Sequence, residues 1–397
     1  MGRKFLDLLV LHFLNDGVRT TFIVILPFIA KDLALNFKMV SVLGSAQPLI
    51  ASILALPAGF FASRFGAFQT LITVLLVYSL GSLLVGISPN VFIMLIAFFL
   101  GAIGFGMFHT ISFALVAKIS EKSNVGTNLG SFTAIGDIGR VAVPPVAVFA
   151  TAQLGWRPTM ISIAAIGLAI FFGVRFFQKF QNKIEVKDNK LITENYLKFF
   201  KESLKLFSFK KIRLIILAGV IDAAGSSPIY IFLPFLLLLK NITPQQLSLL
   251  IGAFFAGSFA GKVILGKSVD QFGNKKVFIA SEISMAILII FIATSNPILL
   301  LLALSFMLGI FTKGTSPVVQ SMFSHLVEKE HYNKIYALGE LLIGAGAMLS
   351  IITMGFVSDR FGVKSVFFIS SVTVIIATLP LILIDKLDLQ IKLSYQS

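Results

Sequence analysis

The sequence predicts an all-α polytopic membrane protein: twelve transmembrane helices arranged as two pseudo-symmetric six-helix bundles. Three observations predict it. The chain is 57% hydrophobic and only 13% charged, with a mean hydropathy of +0.94, whereas a soluble domain carries roughly 25% charged residues. Its apolar runs reach the roughly 20 residues that cross a bilayer as helix. And several of its features recur at one offset of 207 residues. Gly59 and Gly66 return as Gly266 and Gly273, and Leu26-Pro27-Phe28 as Leu233-Pro234-Phe235. Glu121-Lys122 returns as Glu328-Lys329, and Gly155-Trp156-Arg157 as Gly362-Val363-Lys364. One offset shared by separate motifs marks two copies of one unit.

A backbone in hydrocarbon must satisfy its own hydrogen bonds, which leaves helices or a closed barrel. The runs are too long and too uniformly apolar for barrel strands. The twelve expected spans are 5–30, 40–62, 68–88, 90–118, 125–153 and 158–177, then 212–239, 245–266, 275–294, 298–324, 334–357 and 363–383. The first carries His12, Asp16 and Arg19 and has no small-residue cleavage site, so it reads as a retained helix. The bundles are expected at 1–177 and 212–397, with a cytoplasmic linker at 178–211. That linker is lysine-rich. Its part 193–209 has an apolar face of Leu197, Phe200, Leu204 and Phe207, but a solvated linker is the favoured reading.

The net charge of +15 does not indicate nucleic acid, because the basic residues sit in short loops between apolar runs. Their bias to one side places both termini in the cytoplasm of a plasma-membrane protein. There are no cysteines, which excludes disulfide and thiolate chemistry. No phosphate-binding loop and no paired-histidine motif occurs, so neither an enzyme nor a cofactor or metal site is expected.

Two further stretches carry a family resemblance. The segment 266–276 reads as a loop and contains Gly266, Asp270, Gly273, Lys275 and Lys276 in the order Gly-x-x-x-Asp-x-x-Gly-x-Lys-Lys. Its first-half copy keeps Gly59, Arg64 and Gly66, with Ser63 in place of the aspartate. These loops, in two six-helix repeats joined by a cytoplasmic linker, resemble the major facilitator superfamily over essentially the whole chain. The resemblance implies that these eight residues gate the cytoplasmic side. Within the superfamily, His12-Phe13-Leu14-Asn15-Asp16 and the run ending Met107-Phe108-His109 are similar to the fosmidomycin-resistance type of drug exporter. Thr110 stands where that group usually has proline. A third glycine-rich stretch, Gly355 to Gly362, reads as a tight turn.

An ionisable side chain at mid-bilayer costs at least roughly 2.5–3.5 kcal/mol and therefore needs a reason. His12, Asn15, Asp16 and Arg19 share one face of the first helix through spacings of three and four. Asp137 and Arg140 lie one turn apart in the fifth, Asp222 in the seventh and Lys313 in the tenth. Asp16, Asp222 and Asp137 are the candidate proton-coupling carboxylates. Burial favours a neutral carboxyl and a neighbouring cation an ionised one, so a changing environment can load and release a proton. The alternative is a static ion pair of Asp16 with Arg19 or Arg140. His12, Asn15, Arg19, Arg140, Lys313 and His109 are the candidate substrate contacts, with His109 read more simply as a hydrogen-bonded bundle histidine. Glycines in helices four and five read as close-packing sites. The expectation is a monomeric secondary transporter working by alternating access, exporting a small organic compound by proton exchange. Proton symport of an organic anion or sugar-like metabolite is the second reading, and a non-transporting sensor the third.

Overall fold

The computed structural model describes residues 3–119, 125–179, 196–327 and 332–384. Within them all the regular structure is helical. In the first half these helices are α1 (Arg3–Val24), α2 (Leu26–Asp32), α3 (Phe37–Phe65), α4 (Ala67–Ile87), α5 (Val91–Ile119), α6 (Val125–Leu154) and α7 (Trp156–Lys179). The second half has α8 (Tyr196–Leu206), α9 (Lys210–Leu238), α10 (Pro244–Phe272), α11 (Asn274–Thr294), α12 (Ile298–Leu326), α13 (Tyr332–Phe361), α14 (Val363–Ile376) and α15 (Leu379–Ile382). Twelve spans, from Phe5–Asp32 to Val363–Ile382, are long and apolar enough to cross a membrane. The first combines α1 and α2, broken at Ile25 just before Pro27, whose ring cannot continue the hydrogen-bond ladder. The repeated motifs Glu121-Lys122 and Glu328-Lys329, and the start of the linker helix at 193–195, lie outside the described residues.

The expected loop at 266–276 is corrected by the structure. Helix α10 continues through Gly266 and Asp270 to Phe272, and α11 begins at Asn274, so Gly273 alone joins them. Gly66 likewise joins α3 to α4, Gly155 joins α6 to α7, and Gly362 joins α13 to α14. All four have positive φ, between 80° and 89°, a conformation that costs an L residue roughly 1–2 kcal/mol. The 207-residue repeat therefore records a backbone requirement, since the four glycines form two pairs at that offset.

The chain divides into two compact units. Unit one holds Met1–Leu191 and Leu237–Gly252, and unit two the remainder. In unit one, α1 packs against α5 and α6, α4 against α5 and α7, and α3 against α5. The ends of α2 and α7 are tied by Arg157 Nη1 and Trp156 Nε1, which donate to Asp32 Oδ2 at 2.7 and 3.1 Å. The close approach of α1 to α6 depends on Gly139, where a Cβ would sit 2.2 Å from the Phe13 carbonyl oxygen. Unit two packs α11 against α12 and α14. Its core gathers Leu206, Ile212, Ile215, Met322, Phe323 and Ile335. Over its described part the linker departs from the favoured reading of a solvated segment. Residues 196–206 are helical, and Leu206 and Ser203 are buried. Lys334 Nζ donates to Glu202 Oε2 at 2.5 Å, which seats α8 on α13. Large apolar side chains such as Phe92, Val146 and Leu299 are more than two-thirds exposed, which suits a surface facing lipid.

Gly139→Ala is expected to destabilise the protein by about 1–3 kcal/mol through overpacking. Gly173→Ala, where a Cβ would meet nothing within 4 Å, should be neutral or slightly stabilising. Thermal unfolding in detergent compares the two.

Candidate functional site

The ionisable residues of unit one converge on Asp16. Helix α1 presents His12, Asn15 and Asp16 on one face, as their spacing requires. Helix α5 brings His109, and α6 brings Phe132, Asp137 and Arg140. Gly136 makes the approach possible, because a Cβ there would lie 2.5 Å from His12 Nε2 and 2.8 Å from Asp16 Oδ2.

Four side chains surround the carboxylate. Arg140 Nη2 lies 2.7 Å from Oδ2. His109 Nε2 lies 3.1 Å from Oδ1, Asn15 Nδ2 donates to Oδ1 at 3.0 Å, and His12 Nε2 stands 3.3 Å from Oδ2. Arg140 also reaches Asp137 Oδ1 through Nη1 at 2.7 Å, so one guanidinium bridges two carboxylates. The planar fork of arginine matches this arrangement, which a lysine could not reproduce. His12 is stacked on Phe132 at 4.1 Å and Phe108 at 5.5 Å between ring centroids. Its Nδ1 is 2.7 Å from the Phe132 carbonyl oxygen.

His12, Asn15, Asp16 and Asp137 are buried. The side chains of Arg140 and His109 keep 25% and 27% exposure, so they form the open face of the cluster. A guanidinium facing hydrocarbon would be prohibitively costly, so that face must border water or protein. Burying an ion costs several kcal/mol and is repaid only by close, well-directed partners. Asp16 has them.

His12, Asp16 and His109 each bring one donor atom within 4.8 Å of the others, which is the donor set of a divalent cation site. The Arg140 guanidinium on Oδ2 does not fit that use. It takes one direction of the carboxylate and sets a positive charge beside the position a cation would fill. The group is a hydrogen-bonded charge cluster.

The other predicted residues lie elsewhere. Arg19 Nε donates to Gln47 Oε1 at 3.3 Å, and Gln47 Nε2 returns a bond to the Arg19 carbonyl. In unit two, Asp222 accepts from Thr315 Oγ1 at 3.4 Å, and its Oδ1 has no hydrogen bond among the described residues. The Lys313 ammonium stands over the Tyr230 ring at 4.8 Å. Of the gate residues, Gly59, Arg64 and Gly66 belong to unit one, and Gly266, Asp270, Gly273, Lys275 and Lys276 to unit two. Arg64, Asp270 and Lys276 are exposed. Lys275 Nζ donates to the Ile384 carbonyl at 2.8 Å. His109 sits in the bundle with its Nε2 against the central carboxylate.

Sequence reasoning passed over Glu282, which is fully buried in α11 with neither oxygen hydrogen-bonded among the described residues. The signal was present, because Glu282 is the one acid in the apolar run 277–294.

The Major Facilitator Superfamily profile matches residues 8–216 and 214–392. The chain belongs to that superfamily, and it is a multi-pass secondary active transporter. A probable nitrate transporter NarT from Staphylococcus epidermidis is 27% identical, over 93% of this chain and 92% of its own length. The multi-drug resistance efflux pump PmrA of Streptococcus pneumoniae is 21% identical over 91% of each. The crystal structure of the nucleoside transporter NupG superposes with a TM-score of 0.80 at 13% identity, covering 96% of this chain and all (100%) of that one.

Arg140→Gln strands two buried carboxylates and is expected to cost about 3–5 kcal/mol. Adding Asp16→Asn and Asp137→Asn should recover much of that loss. Thermal unfolding of the single and triple variants in detergent measures it.

Proposed function

We propose that this transporter moves a small anionic compound together with protons, with Asp16 as the proton-accepting carboxylate. The observation that carries this reading is the Arg140 guanidinium. It bridges Asp16 and Asp137 at 2.7 Å each while remaining part of the exposed face of the cluster. An anion arriving at that exposed guanidinium competes with the Asp16 carboxylate for it. A buried carboxylate that loses its cation is strongly disfavoured as an anion, so the anion can take Arg140 only from an Asp16 that holds a proton. Anion and proton then load together and travel in the same direction, as a neutral pair. Release reverses the steps, and Arg140 returns to Asp16. Alternating access lets loading and release face opposite sides of the membrane. Arg19, one turn from Asp16 on α1, adds positive charge for an anionic cargo. The cargo after which the NarT relative is named, nitrate, agrees with this chemistry.

Export by proton exchange is the second reading. The specific observation in its favour is the efflux pump PmrA, which this chain matches over 91% of both lengths. The two readings differ in the sign of proton movement. In symport, protons enter a vesicle with the anion. In exchange, they leave as cargo enters.

In proteoliposomes offered nitrate and a panel of small carboxylates and sulfonates, the reading predicts substrate-driven proton entry. Asp16→Asn should abolish uphill accumulation while leaving exchange of cargo across the membrane, which requires no net proton movement. Normal uphill transport by Asp16→Asn would remove Asp16 from the mechanism. Proton exit with cargo entry would replace symport by exchange.

A further inference from the structure

We propose that the coupled proton is held jointly by His12 and Asp16, on the line between His12 Nε2 and Asp16 Oδ2, with His109 acting only as a neutral donor. The proposal deepens the reading of Asp16 given above and rests on it. It comes from the hydrogen-bonding inventory of two histidines that face the same carboxylate.

His12 Nδ1 lies 2.7 Å from the main-chain oxygen of Phe132. A carbonyl oxygen only accepts, so Nδ1 carries a hydrogen. Stacking on Phe108 and Phe132, and the absence of a side chain at Gly136, hold the ring in this orientation. In a neutral ring the second nitrogen, Nε2, is then a bare lone pair. It lies 3.3 Å from Asp16 Oδ2 and has no hydrogen bond among the described residues, and an ionised carboxylate also only accepts. Two acceptors at that distance, buried from water, repel each other. The contact becomes favourable when one proton lies between them, as N–H on Nε2 or as O–H on Oδ2.

His109 is different. Its Nε2 approaches Asp16 Oδ1 at 3.1 Å, while its Nδ1 has no hydrogen bond among the described residues. Nothing fixes Nδ1 as a donor. A neutral His109 with its hydrogen on Nε2 satisfies Asp16 without an extra proton.

The surrounding charges are accounted for by helix. On α1 itself, Asn15 donates to Oδ1 and Arg19 lies one turn beyond Asp16. From α5 comes His109, and from α6 Asp137 and Arg140. Helix α4 supplies the buried Tyr78, whose hydroxyl has no hydrogen bond among the described residues. Within the trio of Asp16, Asp137 and Arg140, two carboxylates meet one guanidinium, and a proton held with His12 supplies the second positive charge. Oδ2 is also the oxygen that Arg140 holds. When an anion draws Arg140 away, the proton shared with His12 becomes the remaining positive partner of that oxygen. The proton arrives from water on one side of the membrane, forms its bond to Nε2 or Oδ2, and leaves to water on the other side. No other bond changes.

The test has two arms. In the first, wild-type protein with ¹⁵N-labelled histidine and ¹³C-labelled aspartate is placed in lipid nanodiscs, without cargo, and its ring-nitrogen and carboxyl resonances are recorded from pH 5 to 9. His12→Asn and His109→Gln assign the signals. The expected result is an Nδ1 of His12 that stays protonated throughout, with a second proton shared between Nε2 and the Asp16 carboxyl at neutral pH. A neutral His12 ring beside an ionised Asp16 at neutral pH overturns the proposal, as does an unprotonated Nδ1.

In the second arm, nitrate is the probe anion in proteoliposomes with an entrapped pH dye. The Asn amide of His12→Asn can still donate to the Phe132 carbonyl but has nothing to occupy the Nε2 position. Nitrate-driven proton entry should fall about tenfold or more in this variant, while nitrate–nitrate exchange is retained. His109→Gln, which keeps a donor toward Oδ1, should lower proton entry and nitrate–nitrate exchange in parallel, leaving the number of protons carried per nitrate unchanged. Coupling that survives His12→Asn and is lost in His109→Gln overturns the assignment. If wild type moves nitrate without protons, the reading of Asp16 as a coupling group fails, and the spectra still decide where the proton resides.

Discussion

The bidentate hold of Arg140 on Asp16 and Asp137 is the interaction on which the first unit depends. Charged groups at bilayer depth are tolerated only when each is answered by a partner. Here the answer comes from three helices. The requirement explains features that look unrelated along the chain. Gly136 and Gly139 lack side chains because α1 must approach α6 closely enough for the carboxylate to reach the guanidinium. Phe108 and Phe132 enclose His12 so that its ring nitrogens keep their directions. Packing in this unit therefore serves its electrostatics, and the same contacts that stabilise the bundle set the chemistry of its open face.

The second unit repeats the scaffold without the cluster. The positions 207 residues after His12, Asp16, His109, Asp137 and Arg140 are Gly219, Ala223, Ser316, Gly344 and Ala347. All five are small, and only Ser316 bears a polar side chain. The acids and the cation of unit two stand at other positions, with Asp222 beside Thr315, Lys313 over Tyr230, and Glu282 buried in α11. Duplication has preserved the helices and their joints, while the ionisable groups have diverged. The hydrogen-bonded charge cluster belongs to one half.

Most of the architecture was legible in the sequence because its causes are local. Length and hydropathy set the twelve spans, and the 207-residue offset marked the junction glycines before their dihedral angles were known. The segment 266–276 misled because glycine and charge usually signal a loop. Only Gly273 leaves the helix, since the polar residues around it sit at helix ends where water can reach them. Of the site, Asp16 with Arg140 was legible as one of two possible ion pairs, because each is a charge inside an apolar run. The place of His109 was not. Its meeting with Asp16 depends on how far α5 and α1 overlap along their axes, which spacing within one helix does not encode. The tautomer of His12 was equally out of reach, because its partner is a main-chain oxygen 120 residues away.

The one-residue joints between α3 and α4, α6 and α7, α10 and α11, and α13 and α14 have a mechanical corollary. A single glycine can swivel but supplies almost no length, so neither helix of such a pair can slide far along its neighbour. Each pair therefore keeps its register along the common axis. Whatever excursion carries cargo across the membrane must take its slack from the longer connections, and engineered tags or sensors belong there and not at the glycine elbows.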